Sequence, residues 1–265
     1  MYQFIKCPNL PNGKVRLIGV GKVYLNKLQL DAYGVEVIGV EKRKELPIPT
    51  TSHIDMQVVH LYSRYFLSAP VDICKEDILY RDFFDELRCK ANKLVDEKVE
   101  LIYGNKGLEQ IYPACAAYNV LLLGKLAVYN PKCIDFILEN HILSLGYHPI
   151  HVKQGFARCS VCIVRENAVI TADTGIAYAL RKCDIDVLHI HPGYICLPGY
   201  DTGFLGGSSF KLSKDILAFT GHLREHPDRE NIISFIRNHG VYSVTLSDHA
   251  IFDIGSAIPI IEEIE

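Results

Sequence analysis

Four segments of this chain resemble one another at nearly constant spacing, and that spacing limits the fold more than any other feature. They begin Cys115-Ala116-Ala117-Tyr118, Cys159-Ser160-Val161-Cys162, Gly207-Ser208-Ser209-Phe210 and Gly255-Ser256-Ala257-Ile258, with starts 44, 48 and 48 residues apart. Each opens on a very small or sulfur-bearing residue and runs into an apolar, strand-like stretch. A looser fifth copy lies upstream at His53-Ile54-Asp55-Met56-Gln57-Val58-Val59. Self-similarity at this period marks a repeat architecture, in which each unit buries its apolar face only against its neighbours.

The third copy shows the unit most clearly. Cys159–Val164 is short, apolar and β-prone, Arg165-Glu166-Asn167 is turn material, and Ala168–Ala172 reads as a second strand. Asp173 is placed to cap a short helix over Ile176–Lys182, and Asp186–Ile190 reads as a third strand. The fourth copy repeats the order, with a helix opened by His226-Pro227-Asp228 and ended by Gly240. In the second copy Pro131 starts the helix and Gly146 follows it. In the first, a longer helix over roughly Lys75 to Glu97 explains the wider gap before Cys115. The unit is strand, strand, helix, strand. The first 50 residues are less regular; Val15–Val20 and Val35–Val40 read as strands that would complete a fifth unit and close a ring.

Composition narrows the classes. A chain of 265 residues, 49% of them hydrophobic, is long enough for a full core, so one domain over 1–265 or one closed ring of repeats is expected. No apolar run nears the roughly 20 residues that span a bilayer, and the start lacks a secretion signal's apolar region, so no membrane partner is expected. A net charge of −3 without a basic cluster disfavours nucleic acid. Nine cysteines scattered through apolar segments fit reduced thiols and a cytoplasmic location. A homo-oligomer is compatible with all of this.

Five such units about an axis resemble the pentein fold, the five-bladed α/β propeller of guanidino-modifying enzymes: arginine and agmatine deiminases, dimethylarginine hydrolases and amidinotransferases. It also includes a noncatalytic ribosome anti-association factor. The most specific local match is His53-Ile54-Asp55 ahead of Met56-Gln57-Val58-Val59. The resemblance implies a general acid/base role for the His and a guanidinium-holding role for the Asp. Gly199-Tyr200-Asp201-Thr202-Gly203-Phe204-Leu205-Gly206-Gly207 and Asp253-Ile254-Gly255-Ser256 look closer to an uncharacterised bacterial branch of this fold. In the hydrolases of this fold the nucleophilic cysteine lies in the last blade. Here the matching stretch, Asp253 to Pro259, carries none, and the His-x-Asp stands in the first blade.

Read as a strand, His53 and Asp55 share one face and point together into an axial channel. Cys159, at the start of another axial strand, is the candidate nucleophile, and Cys115 holds the same position; the alternative for both is core filling. Gly206 and Gly207 leave room for a ligand or permit tight packing. Asp201 and Asp253 either face the channel as substrate carboxylates or act as turn aspartates. Cys159-x-x-Cys162 puts its thiols on opposite strand faces, and His189-Ile190-His191 reads as a solvated strand end, so neither metal nor cofactor is expected. Arg64, Arg165 and Lys42-Arg43-Lys44 read as solvated surface charges. The expected function is binding of a small guanidino or amino-acid-like ligand in a central polar pocket, with hydrolysis through Cys159 and His53. The rival is a noncatalytic binding or assembly module. A thiol within about 4–5 Å of the His53 ring would favour covalent chemistry.

Overall fold

The computed structural model describes residues 1–70 and 78–265. An N-terminal strand β1 (Tyr2–Phe4) precedes β2 (Lys14–Gly21) and β3 (Glu36–Val40). Four modules follow in the expected order. The first holds β4 (Val58–Tyr62), β5 (Tyr65–Ser68), α1 (Ile78–Ala91) and β6 (Glu100–Tyr103). The second holds β7 (Leu121–Leu123), β8 (Leu126–Tyr129), α2 (Phe136–Ser144) and β9 (His148–His151). The third holds β10 (Val161–Arg165), β11 (Ala168–Thr171), α3 (Thr174–Arg181) and β12 (Asp186–His189). The fourth holds β13 (Ser209–Ser213), β14 (Ile216–Phe219), α4 (Arg229–Asn238) and β15 (Tyr242–Thr245). The chain ends on β16 (Ile258–Glu263).

Every module pairs its first two strands antiparallel and its last two parallel, as in Phe210↔Ala218 followed by Leu217↔Ser243. The fifth module has the same pattern but is built from both ends of the chain. There β16 runs antiparallel to β2, and β2 parallel to β3. Single-turn 3-10 helices, Lys22–Tyr24 and Asp31–Tyr33, stand where the other modules carry an α-helix. The N-terminal strands expected to close the ring do so through this pairing.

Strand periodicity explains the closure. Successive side chains of a strand face opposite ways, and each inner strand has a neighbour on both sides. In β10, Val161 and Ile163 join a core shared with Leu121, Leu123 and Val128 of the second module, while Cys162 and Val164 join Leu217 and Phe219 of the fourth. The second module meets the first through Leu122 and Ala127 against Leu61 and Leu67. The fourth meets the fifth through Phe210 and Leu212 against Val15, Ile18 and Val20. The last core sets Ile258, Ile260 and Leu17 of the fifth module against Val58, Phe66 and Phe83 of the first. Five cores thus join five modules into a ring, which accounts for inner strands apolar on both faces.

Helix boundaries follow local chemistry. Asp173 caps α3 by accepting from the Ile176 N–H at 2.7 Å. Asp135 caps α2 in the same way, accepting from Leu138 N–H at 2.9 Å, so α2 begins after Asp135 rather than at Pro131. Gly146 and Gly240 follow their helices at φ 77° and 65°. The expected start of the first-module helix, Lys75, lies outside the described residues; its described part ends at Ala91 rather than Glu97.

Two charge expectations need correction. Arg165 is not simply solvated: its guanidinium donates to the carbonyls of Lys214, His239 and Gly240 and pairs with Asp215 at 2.7 Å, stapling the third module to the fourth. Arg43 is only 6% exposed, so it too is not a solvated surface charge. No helix among the described residues is long and apolar enough to cross a membrane.

Candidate functional site: five turns at the centre of the ring

The segments that head the repeat do not begin the inner strands. Each strand starts two to six residues later, and the leading residues form a tight turn. Three of these entry turns are 3-10 helices, Ile54–Met56, Ala114–Ala116 and Gly206–Ser208. The other two carry Arg158-Cys159 and Asp253–Ser256. The site is assembled from these turns.

His53 and Asp55 therefore do not share a strand face, as the alternation argument had it. His53 is extended (φ −75°, ψ 118°) and caps the 3-10 turn that contains Asp55. The turn is fixed because the His53 carbonyl accepts from Met56 N–H and from the Gln57 side chain. Cys159 likewise sits in a turn ahead of β10. The turns nevertheless bring all three together: a ring nitrogen of His53, a carboxylate oxygen of Asp55 and the Cys159 sulfur lie within 4.8 Å of one another.

The polar contacts are specific. The Cys159 thiol donates to Asp55 Oδ2 at 2.8 Å rather than to His53. Asn119, from the turn ahead of β7, donates to the Cys159 sulfur at 3.1 Å, and its carbonyl oxygen accepts from the Arg158 N–H at 2.8 Å. Both ring nitrogens of His53, and Oδ1 of Asp55, have no hydrogen-bond partner among the described residues. Asp253 Oδ1 lies 3.9 Å from His53 Nδ1. Asp253 is itself held by Gly255 N–H at 2.8 Å and Phe204 N–H at 2.9 Å. The Arg158 guanidinium reaches Ser256 Oγ, Asn9 Oδ1 and the Val161 carbonyl.

Burial sets the electrostatics. His53 has no exposed surface and Cys159 is 3% exposed. Desolvation disfavours the charged form of every group. It pushes the Asp55 carboxyl up to about 7, with Asp253 adding to the rise and the hydrogen bond from Cys159 opposing it. Burial also holds the Cys159 thiol well above its ordinary value, reinforced by Asp55 and Asp253. His53 is pushed down by burial, against the pull of Asp253, and is neutral near pH 7. The resting centre is thus a neutral imidazole, a protonated thiol and a carboxyl poised near neutrality.

The glycines serve this centre from behind. A Cβ on Gly207 would lie 2.1 Å from Asp253 Oδ1, and one on Gly206 2.4 Å from the Val161 carbonyl oxygen. The room they leave is filled by protein, not open to a ligand. Gly255, at φ 70°, lies against His53, where a Cβ would come within 2.3 Å of the His53 Cβ. Asp201 is exposed, whereas His53, Asp55 and Cys159 are buried. His189 and His191 also make separate contacts, with Thr174 and Asp228. Asn119 and Ser256 were not singled out from sequence; both occupy the repeated turns, which was the available signal.

Comparison with solved structures identifies the fold. Inosamine-phosphate amidinotransferase from Streptomyces griseus superposes with a TM-score of 0.55 at 10% identity, covering 96% of this chain and 97% of that one. Agmatine deiminase from C. jejuni gives 0.53 at 8% identity, covering 93% and 91%. Dimethylarginine dimethylaminohydrolase (DDAH) from Pseudomonas aeruginosa, in a mutant complexed with citrulline, gives 0.52 at 9% identity, covering 88% and 92%. The protein has the pentein fold. Within it, the chain belongs to a family of unknown function, DUF6873, whose model matches residues 24–258. No curated protein matches the sequence.

Proposed function

We propose that the central cluster binds a small guanidino compound and hydrolyses a guanidino C–N bond, with Cys159 as nucleophile and His53 as proton carrier. The observation that carries this reading is the meeting of His53, Asp55 and Cys159 within 4.8 Å, with neither imidazole nitrogen hydrogen-bonded among the described residues. Likeness in fold to enzymes named for agmatine and dimethylarginine supports the substrate class. The charge of the site does so as well. Asp55 and Asp253 both stand beside His53, and a planar cation bound at the cluster gains carboxylate partners. A reducing, cytoplasmic setting suits a free thiol nucleophile.

The chemistry balances without a cofactor. A bound guanidinium beside the sulfur favours the thiolate, and His53 accepts the thiol proton. The thiolate attacks the guanidino carbon and forms a C–S bond. The C–N bond then breaks, and the leaving nitrogen takes the proton from His53. Water, losing a proton to His53, attacks the same carbon. The C–S bond breaks, the sulfur regains its proton, and a ureido product departs. Each turnover consumes one water and releases one amine or ammonia.

The test is to incubate the full chain with agmatine, arginine and methylated arginines, following released ammonia or amine and the mass of the peptide containing Cys159. Release that disappears in Cys159→Ala supports hydrolysis. Binding without release, and with no adduct on Cys159, favours the second reading, a noncatalytic binding module. The observation behind that reading is the complete burial of His53.

A further inference from the structure

We propose that His53, Asp55 and Cys159 also form a binding site for one thiophilic divalent cation, with zinc as the reference ion, and that the bound ion blocks Cys159. The metal half of this inference stands apart from turnover. That the ion would exclude a guanidinium from Cys159 rests on the function proposed above. Neither the local spacing around Cys159 nor that around His189 gave reason to expect a metal, because the three donors come from turns of the first and third modules.

The donor set selects the ion. One thiol sulfur, one imidazole nitrogen and one carboxylate oxygen form the mixed set that zinc accepts, whereas magnesium and calcium take oxygen alone. Three protein ligands with a fourth position open is the arrangement of a reactive zinc site rather than a closed structural one. Zinc–sulfur and zinc–nitrogen bonds of about 2.3 and 2.0 Å in a tetrahedron separate donors by roughly 3.3–3.7 Å. The pair 2.8 Å apart opens by roughly 0.5–0.9 Å to reach that range, and the widest, at 4.8 Å or less, closes by at most roughly 1.5 Å. These are side-chain adjustments within the existing turns.

Unsatisfied valence points the same way. A fully buried imidazole with neither nitrogen bonded is costly unless a ligand supplies the partner. Asp55 Oδ1 is in the same condition. The proton that the Cys159 thiol now shares with Asp55 lies between two of the donors, where a cation would bridge them instead. The surroundings already orient the ligands. Asn119 donates to the sulfur at 3.1 Å, as an outer partner of a zinc ligand does, and Asp253 Oδ1 stands 3.9 Å from His53 Nδ1, beyond hydrogen-bond distance. Two carboxylates against the single Arg158 guanidinium leave a field that favours a cation.

The experiment uses the full chain stripped with a chelator, then titrated with zinc and, separately, cobalt chloride. We expect one metal per chain, a thiolate-to-cobalt charge-transfer absorption, and protection of Cys159 from alkylation by zinc that the chelator reverses. Cys159→Ser and the near-isosteric Asp55→Asn should each weaken zinc by well over 10-fold, and Asn119→Ala by about 10-fold. Thermal unfolding of each variant separates lost metal binding from lost folding. Absence of stoichiometric binding overturns the proposal, as does zinc binding of equal strength in a folded Cys159→Ser chain. Turnover by a chain that binds no zinc rejects this site and leaves the hydrolase reading standing; zinc binding by a chain whose chelator-stripped form shows no turnover does the reverse.

Discussion

Cys115 and Cys159 head equivalent turns of neighbouring modules, both are nearly inaccessible, and their surroundings differ completely. Cys115 packs in the apolar core between the first two modules with Leu108, Ala117 and Leu122. Its thiol is pushed up to about 11, chiefly by burial, and no side chain among the described residues hydrogen-bonds it. Cys159 is met by Asp55, Asn119 and, across the cluster, His53. The ring decides this difference, because the turns of modules one, two and five converge on the third. The same small residue in the same local slot is core filling in one module and a polarised thiol in another.

The comparison predicts its largest contrast in chemistry. Cys159→Ala should lower turnover of a guanidino substrate by about three orders of magnitude or more, as loss of a nucleophile does. Cys115→Ala should leave the rate per folded molecule within about twofold. Equal losses from the two substitutions would erase the distinction drawn here.

Next come the glycines that seat the cluster. Gly255→Ala meets both a left-handed backbone, costing about 1–2 kcal/mol, and the His53 Cβ at 2.3 Å. Gly207→Ala drives a methyl into Asp253 and should cost about 1–3 kcal/mol, as overpacking does. Denaturant titrations with unchanged slope should show both losses, with Gly255→Ala the larger. A neutral result at either position would mean that the turn has more room than the packing allows.

Asp55 gives a pH test whose sign is opposite to an ordinary surface carboxylate. Its folded value of about 7 lies above the unfolded value near 3.9. Between those values the native state holds a proton that the unfolded chain has lost, so this group costs stability as pH rises through the window. Asp55→Asn should therefore raise the melting temperature at pH 8, on the order of several degrees, with the gain fading toward pH 4. His53 runs the other way: burial lowers its value, so its contribution is lost as pH falls below about 6.5. A loss of melting temperature for Asp55→Asn at pH 8 would show that Asp55 is ionised and satisfied in the folded protein.

The repeat period made the modules legible, down to the N-terminal strands that complete the fifth, because each unit's order is written locally. The reactive residues were visible as His53, Asp55 and Cys159, since few residue types carry such chemistry and these stand at copy starts. Their backbone was misread. Ile54, Met56 and Val58 look like one continuous strand, yet the chain makes a 3-10 turn before β4. Partners of the site were harder still. Asn119 matters because its turn faces Cys159 after the ring closes, a relation between modules that no local pattern encodes. Asp201 shows the converse: a carboxylate in a Gly-rich loop looks like a ligand until its exposure is known.

The smallest expected effect isolates what Cys115 does. Its side chain is 1% exposed within an apolar core, so Cys115→Ala removes one sulfur atom's worth of contact and leaves a small void. Burial of that size corresponds to about 1–2 kcal/mol. Cys115→Ser keeps the volume but puts a hydroxyl where no polar side chain bonds the thiol, so it should cost more than the alanine unless a backbone carbonyl accepts it. At Cys159 the order should reverse. A serine hydroxyl there can donate to Asp55 and accept from Asn119, so Cys159→Ser should be more stable than Cys159→Ala. Melting temperatures of the four variants at one pH measure this directly. Opposite orderings at the two positions would show that the ring has given equivalent residues an apolar and a polar environment, and identical orderings would remove the basis for treating Cys159 as special.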